Sequence, residues 1–108
     1  MGARQEIAMT NKETYTMRSK VWVYRGSGAW HFVTLPKKQG KEIQEKYGKY
    51  ARGWRSLPVR VTIGETSWDT SIFPDKKEGS YVLPLKAAIR KKEDIHEDDT
   101  VKFAMVIR

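Results

Sequence analysis

Acid–base catalysis in a small protein needs carboxylates or an imidazole brought together in one pocket. Outside its charged runs this sequence offers three such groups: His31 between Trp30 and Phe32, Asp69 between Trp68 and Thr70, and Asp75 after Pro74. A small enzyme acting on a sugar or a nucleotide would need them to converge. Hydroxyls stand at Ser56, Ser71 and Ser80, but no G-x-S-x-G elbow or S-x-x-K motif surrounds them, so no catalytic residue is assigned. Metal chemistry is poorly supplied. There is no cysteine, and the two histidines, His31 and His96, lie far apart in the chain. The acids Glu93, Asp94, Glu97, Asp98 and Asp99 lack the spacing and glycine of a calcium loop; they read as a solvated turn partly neutralised by Lys91 and Lys92. Gly26-Ser27-Gly28 lacks the helix and lysine of a phosphate loop and reads as a hairpin turn. No metal site and no cofactor are therefore expected.

Binding chemistry is better represented. The net charge is +8, and residues 36–60 hold eight cations (Lys37, Lys38, Lys41, Lys46, Lys49, Arg52, Arg55, Arg60) against Glu42 and Glu45. Such an excess fits an anionic ligand, a nucleic acid or an acidic protein partner, or simply a solvated surface. Within it, Tyr50 and Trp54 interleave with Lys49, Arg52 and Arg55. That composition can stack bases and hold phosphates. The alternative reading has Trp54 plugging one end of the fold while the cations face water. Lys86 and Arg90, four apart on one helix face, could join Arg60 in an anion-binding patch. Most of the other large rings (Trp22, Trp30, Trp68, Tyr24, Tyr47, Tyr81) are expected in the core, since each buries a large area.

The elements that must position these residues follow from periodicity. Tyr15, Met17, Val21 and Val23 alternate with polar residues, apart from Trp22, and predict a long strand. The turn Arg25–Gly28 leads into a second strand over 29–34, making a hairpin. Pro36 opens a short amphipathic helix over 37–47, with Ile43 and Tyr47 on one face, Gly40 weakening its first half and Gly48 closing it in the left-handed conformation. Val59, Val61 and Ile63 form a clean strand; Gly64-Glu65 turns it into a partner over 66–72. The segment 74–79 is a turn, 80–83 a short strand ended by Pro84, and 86–92 a short helix with Ile95 packing back. Val101, Phe103, Met105 and Ile107 mark the last strand.

At 108 residues there is room for one domain, with residues 1–13 a flexible tail and 14–108 a single mainly β domain. About six short strands with two short helices predict a small closed or partly open β-barrel. No signal peptide or membrane-spanning run is read, and the lack of cysteine leans towards the cytoplasm.

Four local patterns occur together: Trp30-His31-Phe32-Val33; Gly53-Trp54-x-Ser56-x-Pro58-Val59; Trp68-x-Thr70-Ser71-Ile72-Phe73-Pro74; and Tyr81-x-Leu83-Pro84-Leu85-Lys86-x-x-Ile89-Arg90. The combination resembles a widespread bacterial family catalogued as a domain of unknown function, over about residues 14–108. Arg55 departs from the pattern, which has a small residue there. The resemblance implies a small β-barrel and no known activity. Some relatives carry a fused OmpD-associated domain, which is expected to be absent here. Residues 83–103 also resemble half of an AbrB/MazE-type swapped-hairpin barrel, which implies a DNA-binding dimer. Three expectations result. The leading one is a non-enzymatic binding or accessory module with a basic aromatic surface for an anionic ligand or protein partner. The others are a DNA-binding swapped-hairpin-like dimer and a small enzyme using Asp69, Asp75 or His31. Either a monomer or a homodimer fits the sequence.

Overall fold

Strand periodicity turns every second side chain to the same face, and six such segments wrap into one closed antiparallel barrel. The computed structural model describes residues 13–26 and 28–108; the expected tail lies almost wholly outside them. Within the described residues the strands are β1 (Thr14–Tyr24), β2 (Trp30–Thr34), β3 (Leu57–Ile63), β4 (Thr66–Asp75), β5 (Ser80–Pro84) and β6 (Thr100–Ile107). Their order around the barrel is β1-β2-β5-β4-β3-β6. Each strand sends at least one side chain to a fully sequestered interior: Val21, Val33, Val61, Ile72, Leu83 and Phe103 are all at most 1% exposed. Burying a side chain of this kind is worth roughly 1.5–3 kcal/mol. One chain closes the whole barrel.

Two long strands change partners midway. Residues 14–20 of β1 pair with β6 and residues 21–24 with β2. Residues 66–72 of β4 pair with β3 and residues 73–75 with β5. This corrects the expected end of β4 at Ile72. Pro74 stays in the strand, opposite Tyr81, because β4 has only one partner there and the proline nitrogen needs no acceptor.

Helix α1 (Lys37–Tyr47) crosses β5, with Ile43 buried. Gly40 is a packing requirement as well as a weak helix former. It is buried against Ser80, whose Oγ donates to the Leu35 carbonyl at 2.8 Å, and a Cβ at position 40 would collide with Ser80. The expected left-handed close at Gly48 is corrected. Its φ and ψ are −56° and −32°, its N–H donates to Gln44, and the chain continues into a 3-10 turn over Gly48–Tyr50. The left-handed cap falls instead at Asp94, ending α2 (Ala87–Glu93), after which Ile95 packs into the core as expected. Asp98 is also left-handed, in the turn before β6.

Candidate functional site

The basic aromatic loop is built from two successive 3-10 turns, Gly48–Tyr50 and Gly53–Arg55. The Arg52 N–H donates to Ser56 O at 2.8 Å and the Ser56 N–H to Gly53 O at 3.1 Å, which pins the second turn to the start of β3. Inside it Trp54 (φ 60°, ψ 23°) and Arg55 (φ 57°) are both left-handed, a conformation costly for residues with a Cβ. The turn throws the indole outward, and Trp54 is 89% exposed. The plug reading is thereby corrected. Tyr47 and Ala51 pack against the core instead. Tyr50 is 63% exposed, with the Lys49 ammonium 5.3 Å from its ring centroid. Among the described residues Lys49, Arg52 and Arg55 form no ion pair. Beside the loop, Tyr47, Tyr50, Arg52, Pro58, Ile107 and Arg108 line a cavity of about 380 Å³, within the size range of small-ligand sites.

A second depression, of about 280 Å³, opens at the far end of β2, where His31, Lys86 and Arg90 meet beside Trp30 and Pro84. Arg90 Nε donates to the Leu85 carbonyl at 3.1 Å. His31 Nδ1 lies 3.0 Å from the Ala29 carbonyl and Nε2 lies 3.4 Å from Arg90 Nη1. A carbonyl only accepts, so Nδ1 carries the proton and Nε2 accepts from the guanidinium. Lys86 and Arg90 therefore come together as the sequence suggested. Arg60 does not join them. It grips Asp69 through Nε–Oδ1 at 2.7 Å and Nη2–Oδ2 at 3.1 Å, and Arg108 Nη1 lies 3.5 Å from Oδ2.

That grip also bears on Asp69 as an acid–base group. The hydrogen bond from Arg60 holds the Asp69 carboxyl below the usual carboxylate range, the reverse of what a proton shuttle at neutral pH requires. Asp75 is six residues along the same strand, about 20 Å away at strand rise, where it accepts from the Lys77 and Glu78 N–H groups. His31 faces the other depression. The three groups do not converge. No group of three or more His, Asp or Glu side chains placed to hold a metal occurs among the described residues, and no helix there is long and apolar enough to cross a membrane.

The sequence reading missed a third feature, a ladder of rings on the outside of the sheet. Outward positions put Trp22 opposite Phe32 and Tyr24 opposite Trp30 across β1 and β2, and Phe32 opposite Pro84 on β5. Phe73 of β4 lies opposite Val82. Ring centroids are 5.0 Å apart for Trp22–Phe32 and 6.4 Å for Trp30–Phe32, the latter pair nearly parallel at 15°. Trp30 is 57% and Tyr24 53% exposed, so two of the rings expected in the core are corrected to the surface. The signal was present: Trp22 breaks the β1 alternation, and Trp30 and Phe32 share the parity opposite to Val33.

No curated protein matches the chain. Residues 18–105 match the family described as "Domain of unknown function (DUF1905)", which agrees with the resemblance carried by the four local patterns. With that span covering most of its 108 residues, the chain belongs to the DUF1905 family.

Proposed function

We propose that this protein is a non-enzymatic binding module whose basic aromatic loop takes an anionic ligand with a flat apolar body. One observation carries the reading: Trp54 is held in a strained left-handed turn and almost fully exposed, next to three cations without acidic partners among the described residues. An exposed indole forgoes the roughly 1.5–3 kcal/mol that burying a large apolar side chain supplies, and the left-handed backbone costs about 1–2 kcal/mol more. Both costs favour a role outside the fold, since strained residues persist where surrounding structure serves a site. A flat group stacks on Trp54 or Tyr50 while its charge meets Arg52 or Arg55 at the mouth of the adjoining cavity.

Calorimetric titration with aryl phosphates, aryl sulfonates and inorganic phosphate tests this. Aryl anions should bind more tightly than inorganic phosphate, and Tyr50→Ala with Trp54→Ala should weaken them at least about tenfold, the scale of a lost stacking contact. Equal binding by the double variant, or no binding by any member of the panel, rules the reading out.

A further inference from the structure

We propose that the outer face of β1 and β2 binds single-stranded nucleic acid, with bases on the ring ladder and phosphates on cations at its two ends. The surface is separate from the loop at 48–55, and neither reading depends on the other. Outward positions along β1 run Arg18, Lys20, Trp22 and Tyr24, spaced by about 6.6 Å at two residues per step. At one end of the ladder Arg18 sits directly opposite Lys102 of β6, with Lys20 next in line. Like charges facing each other across a strand pair destabilise a sheet. None of these three cations has an acidic partner among the described residues. At the other end Trp30 and Pro84 form part of both the ring face and the depression holding Lys86, Arg90 and His31.

The order along the barrel is therefore cations, rings, cations. A protein partner of ordinary surface composition would satisfy the rings but leave both cationic ends uncompensated. A duplex hides its base faces, so only its backbone could be used. A single strand offers stackable bases and a phosphate at every step, which is the combination that ring-and-cation surfaces take. In the acidic turn beside β1, Glu97 is paired with Arg25 at 2.6 Å, whereas Asp98 and Asp99, the latter accepting the His96 N–H at 2.8 Å, form no ion pair among the described residues. Beyond Arg18 and Lys102 the strand thus lies towards β2 and β5, away from that turn.

Fluorescence anisotropy with a short labelled oligothymidine tests this, against its duplex with oligoadenine and against inorganic polyphosphate. The single strand should bind most tightly. Tyr24→Ala with Trp30→Ala should weaken it at least about tenfold. Arg18→Gln with Lys102→Gln should flatten the log-affinity against log-salt slope by about 1.4, two phosphate contacts' worth. Tyr50→Ala with Trp54→Ala should weaken it less than Tyr24→Ala with Trp30→Ala does. Polyphosphate binding as well as the single strand, losses confined to the loop variant, no binding at low salt, or a homodimer by sedimentation that Trp30→Ala dissociates would each overturn the proposal.

Discussion

Replacing Trp54 by glycine separates two accounts of the loop by the sign of one number. In the structure the indole touches almost nothing, so its removal sacrifices little packing. Glycine adopts the observed φ of 60° without the roughly 1–2 kcal/mol that a Cβ costs there. Against that gain stands the greater freedom of glycine in the unfolded chain, about 0.5–1 kcal/mol. The balance is a stabilisation of about 0.5–1 kcal/mol, which for a chain of this size raises the melting temperature by roughly 2–5 °C. Were Trp54 instead a plug in the barrel end, the same change would cost about 3–5 kcal/mol and lower the melting temperature by well over 10 °C. Trp54→Ala is the control. It removes the ring but keeps the strain, and its stability should stay within about 0.5 kcal/mol of the parent. Differential scanning calorimetry of the three proteins reads the comparison directly. A melting temperature for Trp54→Gly below that of the parent refutes the reasoning. A rise in stability together with lost affinity for aryl anions would show a residue kept for its contact with a ligand at the expense of the fold.

Gly40→Ala should destabilise the protein by about 1–2 kcal/mol in urea unfolding, although the same change in a free helix gains up to about 1 kcal/mol; the new methyl meets Ser80, which cannot swing aside without leaving the Leu35 carbonyl. The buried phenols of Tyr15 and Tyr81 are pushed up by burial, for Tyr15 with Glu13 reinforcing it. A raised pKa means that the folded state holds a proton which the unfolded chain releases near pH 10. That stabilisation is present below pH 10 and is lost as the pH rises above it, so stability should fall steeply on the alkaline side, and less steeply in Tyr15→Phe. The carboxyls of Asp69 and Glu97, each lowered chiefly by a hydrogen bond from its arginine (Arg60 and Arg25), should titrate below the ordinary range in carbon-detected NMR. Their contribution is present above that range and is lost only as the pH falls through the lowered values.

The barrel could be read from the chain because its cause is local and periodic. The alternation in β3 and β6 forces one face inward wherever those strands lie. The partner switches in β1 and β4 are settled by strands remote in sequence, so the continuation of β4 through Pro74 had no local signal. The loop shows a different limit. Composition identified its rings and cations, but the obvious place for a left-handed residue is Gly53, whereas the positive φ values fall at Trp54 and Arg55. The direction of the Trp54 side chain follows from that choice. Arg60 and Asp69 each looked available for chemistry until the β3–β4 register set them opposite one another.

The central claim is that the exposed basic aromatic loop is a binding surface. Mapping amide shifts of isotopically labelled protein during titration with an aryl phosphate tests it most directly. The account predicts saturable shifts concentrated between Tyr47 and Pro58 and at Ile107, absent with Tyr50→Ala and Trp54→Ala. Shifts spread evenly over the lysine-rich surface, or none in that segment, would contradict it.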